Sequence, residues 1–462
     1  MKFKTTIILF AAFLILLAFI LLFEFKGKGE KDEEEKLVAL SSDEVSKIIF
    51  KKPEETITFE IDEKGEWLIR EPLEAQADKY EVNRLAEDFS DLRIERVVEE
   101  MSEDPGKYEI PQKEISLYFK DKEQPVKILV GMENPLDNTF FAKREDEERV
   151  VLVPSHLKSL LEKKIFDFRK KDIFNFETDS VKNIRLRAKK IQWEATRKEE
   201  EWFLTKPAGA LAKSSQINDI LSSLSNLKAK EFISEDKIKE ELNKFGLDHS
   251  EYKITLSIPS ENQEIMFSLQ KEEDKVYATT SLSSKIVETE ESILSDLEKE
   301  SEELREKKVS NFYSWEVKKF HLKKGEIDLT VAKGEEDKWL FESPLKEEAD
   351  KNKIETLIRK LESLEADEFI DPPLKFEDYG LDKPQAEVKI WAGKDEEKTK
   401  EITVFVGSED KEAKKVVVRN ARFDYLFRVD SAFLEEFPRE ANDWKLEEKK
   451  EGKEKEKEKE TS

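Results

Sequence analysis

Apolar residues return with one spacing at three places along this chain. Val82, Leu85, Ala86, Phe89 and Leu92 form the first set. Ile217, Ile220, Leu221, Leu224 and Leu227 form the second, and Ile354, Leu357, Ile358, Leu361 and Leu364 the third. The offsets i, i+3, i+4, i+7 and i+10 paint one stripe on an α-helix, so each set predicts an amphipathic helix with a buried face. Upstream of each stripe stands a tryptophan in a short alternating run: Trp67, Trp202 and Trp339. Five residues after each comes a proline (Pro72, Pro207, Pro344), which cannot donate to a continuing ladder and so ends the strand. The order strand, turn, helix is therefore written three times, with the tryptophans 135 and 137 residues apart. A large aromatic at a fixed strand position in register with a helix is read as core material, facing the helix, rather than as an exposed binding residue.

The resemblance between the three stretches continues downstream. Tyr108-Glu109-Ile110, Phe245-Gly246-Leu247 and Tyr379-Gly380-Leu381 each precede an alternating strand, at Ile115–Phe119, Ile254–Ile258 and Val388–Trp391. VKILVGM, EIMFSLQ and ITVFVGS follow, then strands around Phe140–Lys143, Val276–Thr279 and Val416–Arg419. The first and third repeats close alike, VVLVPSHLKSLL against YLFRVDSAFLEEF, with Ser155 and Ser431 placed to cap a second helix. Repeat boundaries fall at 37–172, 173–308 and 309–444. The expected fold is α+β: three tandem repeats, each a mostly antiparallel sheet with two helices.

Outside the repeats the chain changes character. Thr5 to Phe23 is a run of 19 uncharged, almost wholly apolar residues. As a helix it spans roughly 28 Å, close to the hydrocarbon thickness of a bilayer. The run is longer than a signal-peptide core and lacks a small-residue cleavage site, so the reading is an uncleaved single-pass transmembrane anchor over 5–25. Residues 1–4 would then be cytoplasmic, 26–36 a charged stalk, and the bulk extracytoplasmic, at the inner or plasma membrane. Residues 445–462 alternate Lys and Glu with almost no apolar content and are expected to be disordered.

Charge narrows the partners. Charged residues make up 41% of the chain and the net charge is −25, a field that repels phosphate backbones and disfavours nucleic-acid binding. The Lys/Glu richness fits either thermophile-like ion-pair networks or simply a long solvated surface. With no cysteine there is no disulfide, no thiol nucleophile and no lipoprotein anchor.

The strand–Trp–x4–Pro–helix repeat, the Tyr379-Gly380-Leu381 element and the single apolar N-terminal run resemble a bacterial family classed as a domain of unknown function. Its members resemble the periplasmic portions of gliding-motility-type ABC transporter auxiliary proteins. The resemblance covers most of 37–444 and departs at Glu109, at Phe245, and where the second repeat lacks the glycine present as Gly131 and Gly407. It implies a fold and a context, with ABC transporter subunits as protein partners, and carries no catalytic residues.

The residues themselves point the same way. His156, His249 and His321 are scattered, with no HExxH or HxH spacing, and read as surface or packing residues. Acidic runs such as 145–148 and 271–275 lack a calcium-loop pattern. Only 13 glycines are present, none in a phosphate-cradling loop. No catalytic, cofactor-binding or metal residue is therefore assigned, and no cofactor is expected. The expected function is a noncatalytic extracytoplasmic accessory or scaffold component of a membrane complex. The alternative is an envelope ligand- or glycan-binding protein using clefts between repeats.

Overall fold

Alternation decides the sheets. Asn183–Ala188 buries Ile184, Leu186 and Ala188 on one face while Asn183, Arg185 and Arg187 stay exposed, the period-two signature of a strand packed on one side. A computed structural model describes residues 35–259, 263–395 and 398–446. It divides into two compact units, one ending at Lys171 and the other beginning at Asp172. The first contains one antiparallel sheet and the second contains two.

In the first unit the strands are β1 (Val45–Lys51), β2 (Thr56–Ile61), β3 (Trp67–Glu71), β4 (Ala75–Gln76), β5 (Arg96–Glu99), β6 (Lys113–Phe119), β7 (Val126–Glu133), β8 (Phe140–Arg144) and β9 (Val150–Val153). They pair in the order β4-β3-β2-β1-β6-β7-β8-β9-β5. The second sheet comprises β10 (Asn183–Ala188), β11 (Ile191–Lys198), β12 (Glu201–Lys206), β13 (Ala210–Leu211), β14 (Glu231–Ser234), β15 (Tyr252–Ile258), β16 (Gln263–Glu272), β17 (Lys275–Thr280) and β18 (Ile286–Thr289). Its order, β13-β12-β11-β10-β15-β16-β17-β18-β14, is the same topology. The third comprises β19 (Val317–Lys324), β20 (Ile327–Lys333), β21 (Trp339–Ser343), β22 (Glu368–Ile370), β23 (Ala386–Ala392), β24 (Lys400–Asp410), β25 (Lys415–Asn420) and β26 (Leu426–Asp430). It repeats the order without the two-residue edge strand.

In each sheet the chain leaves one edge, runs through a 12-residue helix, and rejoins the sheet at the opposite edge. These helices are α1 (Lys79–Ser90), α2 (Ser214–Ser225) and α3 (Lys351–Glu362). Asp78 caps α1 by accepting from the amides of Tyr80 and Glu81, and Asp350 caps α3 by accepting from Asn352 and Lys353, each cap contributing about 1 kcal/mol. The stripe residues Val82, Leu85, Ala86 and Phe89 of α1 are buried against β-strand side chains such as Ile48, Phe50 and Ile69. Equivalent stripes are buried in α2 and α3. Each fully buried Leu, Ile, Val or Phe is worth roughly 1.5–3 kcal/mol of transfer free energy, so the stripe holds the helix in place.

Two expectations need correction. The repeats are tandem and their sheets antiparallel, but they do not carry two helices each: they are sheets of eight or nine strands with one substantial helix. At the end of the first repeat the chain makes only single turns, Lys158–Leu161 and Ile165–Phe168. In the third, Ser431–Glu436 is a 3-10 turn, stopped by Pro438 because the residue before a proline avoids helical geometry. The caps also differ from expectation. Asp430, not Ser431, accepts from the Ala432 amide, and Pro154 precedes the turn at Ser155 without a side-chain bond. The expected transmembrane segment at 5–25 lies outside the described residues, as do 1–4, most of the stalk and nearly all of the tail. Among the described residues no helix is long and apolar enough to cross a membrane.

The Tyr-Glu-Ile and Tyr-Gly-Leu elements have a structural job. Ile110 packs with Phe141, Val150 and Leu152 in a small second core on the face of the sheet away from α1, and Tyr108 stacks on Phe141 at 4.5 Å. The chain turns there through left-handed backbone: φ is 55° at Glu109, 64° at Gly246 and 66° at Gly380. Gly131 and Gly407 let this turn lie against the sheet. A Cβ on either would stand 2.2 or 2.3 Å from the carbonyl oxygen of Tyr108 or Tyr379. The second repeat has buried Leu269 at the corresponding place, and its turn follows a helix, Lys239–Lys244.

A candidate functional site between the second and third repeats

The recurring residues are spent on holding the fold. Trp67, Trp202 and Trp339 are all buried in their cores. The indole N–H of Trp67 donates to Asn83 at 2.7 Å and that of Trp202 to Asn218 at 3.0 Å, each acceptor 16 residues on. In the third repeat that position is Glu355, which pairs along α3 with Lys351 and Arg359, and the Trp339 N–H has no partner. The histidines lie apart: His156 is 3.8 Å from Asp88, His249 is 3.5 Å from Asp248, and His321 bridges to Asp328 at 3.0 Å. Among the described residues no group of three or more His, Cys, Asp or Glu side chains is arranged to hold a metal ion.

Within the second unit, the two sheets are joined by residues that no motif announced. Arg305 is 3% exposed and donates from both terminal nitrogens to the two Asp371 carboxylate oxygens at 2.8 Å each. Its guanidinium lies 3.8 Å from the Phe369 ring centre and 4.9 Å from that of Tyr425. This is the bidentate, stacked geometry that suits arginine and not lysine. The Tyr425 hydroxyl accepts from the Leu211 amide at 3.3 Å, and burial pushes the phenol up to about 12. Ala210 and Leu211 of β13 belong to the core of the third sheet. Arg422 grips both carboxylate oxygens of Glu201, one through a 3.1 Å bond, and lies over Phe203 and Phe423. That pairing holds the Glu201 carboxyl below its ordinary range and the Arg422 guanidinium above it, in each case against the opposing effect of burial.

Beside this joint opens a cavity of about 840 Å³. Val309, Phe312 and Phe423 contribute apolar wall, while Glu316, Glu401, Thr403 and Asn420 are among its polar lining. Asn420 is fixed from below, donating to the Val309 carbonyl at 2.8 Å. Tyr313 stands in the lining and is 51% exposed; its ring stacks at 4.5 Å on Trp315, which is 66% exposed. No other repeat carries this pair. The turns entering β1 and β10 hold Ser41 with Asp43 and Glu177 with Asp179 at the same distances before Val45 and Val181 as Tyr313 and Trp315 stand before Val317.

The signals for these residues were faint. The Trp–Asn spacing is legible once the repeats are aligned, and Tyr313-Ser314-Trp315 breaks an otherwise close echo between NFETDSV and NFYSWEV. Nothing marks Arg305 with Asp371, or Glu201 with Arg422, which are separated by 66 and 221 residues.

No curated protein matches this chain. A crystal structure of the DNA polymerase sliding clamp from Pseudomonas aeruginosa with ligand aligns over 85% of this chain and 93% of its own, at 7% sequence identity and a TM-score of 0.16. The DNA polymerase III subunit beta from the same organism aligns over 84% and 92%, also at 7% identity, with a TM-score of 0.17. Scores of this size carry no assignment of fold or function. A family profile, by contrast, matches twice, over residues 67–239 and 202–375, each match opening on a repeat tryptophan. The chain belongs to the family described as the domain of unknown function DUF4340.

Proposed function

We propose that this protein is a noncatalytic accessory or scaffold component of a membrane complex. It is held at the membrane by the apolar run Thr5–Phe23, with its repeats on the extracytoplasmic side. ABC-type transporter subunits are the partners proposed, on the resemblance of its repeats to transporter auxiliary proteins. The observation that supports the reading is the use of one sheet topology three times, with the recurring residues engaged in packing. Repetition of a fold multiplies surface without requiring any one copy to carry chemistry. The joint through Arg305 and Asp371 fixes the second and third copies as one surface.

Affinity purification of the full-length protein from gently solubilised native membranes, with mass spectrometry of what accompanies it, tests this. Recovery of membrane-spanning and ATPase subunits of one transporter is the expected result. Recovery of the protein alone would sink the proposal.

A further inference from the structure

Among the described residues large aromatic side chains are mostly interior, and four of the tryptophans are among the largest fully buried side chains. Among the tryptophans Trp315 alone is exposed, and unlike the isolated exposed ring of Tyr80 it is exposed together with a second ring, Tyr313. Exposure of a single apolar residue needs no explanation. Two stacked exposed rings, one of them in the lining of a cavity, found in one repeat of three, do. The turn that carries them is otherwise ordinary: Ser314–Glu316 is a 3-10 turn, as are Ser42–Glu44 and Thr178–Ser180. The aromatics therefore contribute nothing that the turn needs in order to form.

The geometry points to a glycan-binding site at this cavity, with the stacked pair of Tyr313, in the lining, and Trp315, beside it, offering an outer ring face as the platform on which a pyranose ring stacks. The rings are nearly parallel, at 20°, so each keeps one flat apolar outer face, and the pair carries two polar groups, the Tyr313 hydroxyl and the Trp315 indole N–H. The apolar C–H face of a sugar needs such a surface, and its hydroxyls need donors and acceptors close by. Glu316, Glu401, Thr403 and Asn420 supply these in the adjacent lining. A volume of about 840 Å³ lies within the range of pockets that hold small ligands. A protein hot spot is different: its aromatic anchor sits in a dry, well-packed patch ringed by near-neutral contacts. Here the stacked pair borders a cavity lined by charged and polar side chains such as Glu316, Lys400 and Glu401, which favours the glycan over a protein partner.

The test uses the full-length protein and two probes, a β-linked N-acetylglucosamine trisaccharide and a galacturonic acid trisaccharide, followed by tryptophan fluorescence and isothermal titration. A saturable response to at least one is expected, the neutral and acidic probes distinguishing which kind of glycan is held. Trp315→Ala should weaken it about tenfold or more. Tyr313→Ala should weaken it too, and neither should shift the melting temperature, since both side chains are exposed. No saturable response to either probe would overturn the inference, as would a response unchanged in the Trp315→Ala, Tyr313→Ala double variant. If the double variant instead loses a co-purifying protein while wild type binds neither sugar, the platform is a protein interface. This outcome is separable from the scaffold reading, which depends on which subunits wild type recovers.

Discussion

Three copies of one tryptophan in one fold allow a hydrogen bond to be weighed against its own absence. Trp→Phe at position 67 or 202 removes indole volume and also a bond of 2.7 or 3.0 Å to an asparagine. At position 339 it removes the same volume, but the N–H deleted there is buried and unpartnered. The volume term is shared and cancels in the comparison. A hydrogen bond of this kind contributes a net 0.5–1.5 kcal/mol or so, and an unsatisfied buried donor costs about 1–3 kcal/mol. Trp339→Phe should therefore be milder than Trp67→Phe or Trp202→Phe by about 2 kcal/mol. Restoring the acceptor by Glu355→Asn is a poorer experiment, because it also removes pairs with Lys351 and Arg359 of up to about 0.5 kcal/mol each. Amide hydrogen exchange, read on peptides covering α1, α2 and α3, resolves the repeats within one molecule. A difference of about 2 kcal/mol corresponds to roughly thirtyfold in protection where exchange reports the opening equilibrium. Equal losses of protection in all three helices, or the largest loss in α3, would refute the argument.

Arg305→Ala should destabilise the joint of the second and third repeats by about 2–4 kcal/mol, the range for breaking a buried pair, reduced because the Asp371 side chain is 34% exposed. Denaturant unfolding should show most of that loss recovered in Arg305→Met, Asp371→Leu, and a loss below about 0.5 kcal/mol would refute it. Glu109→Gly should stabilise by about 1 kcal/mol, since φ is 55° there, while Gly407→Ala should destabilise by about 2 kcal/mol or more through its clash with the Tyr379 carbonyl. Opposite shifts in urea midpoint check both, and shifts of the same sign would contradict the account. Tyr425 keeps its proton in the fold up to about pH 12 whereas an unfolded tyrosine loses it near pH 10. Its contribution is thus complete below pH 10 and falls away as pH rises from 10 to 12. Tyr425→Phe should flatten the stability profile in that window, and an unchanged slope would remove the assignment.

How much of this was legible depends on the range over which each signal acts. The helices α1, α2 and α3 were legible because their stripes are local and strong. The tryptophans were legible as core because they keep register with those stripes. The second helix was misread because VPSHLKSLL and VDSAFLEEF look like capped starts, yet each apolar run lasts barely a turn before charge or Pro438 ends it. The return of β5, β14 and β22 to the far edge was not legible, since three or four residues such as Glu368–Ile370 carry too little pattern to name a partner. The cavity was least legible of all. Its lining runs from Glu201 to Phe423, and only folding brings those stretches together.

Placing three like sheets on one chain creates a hazard: an edge of one copy is a template on which a strand of another can misassemble. The crossing helix answers it. By handing the chain from one margin to the other, it leaves both margins of the first two sheets finished with short pieces, Ala75–Gln76 and Arg96–Glu99 in the first copy and Ala210–Leu211 and Glu231–Ser234 in the second. In the third copy, β21 is closed by the Leu340–Glu348 bridge and by the Phe341 amide donating to the Glu347 carbonyl. A margin of two to four residues offers too few amides to recruit a stray strand, so the three sheets stay separate ladders even where β13 packs its side chains into the third core.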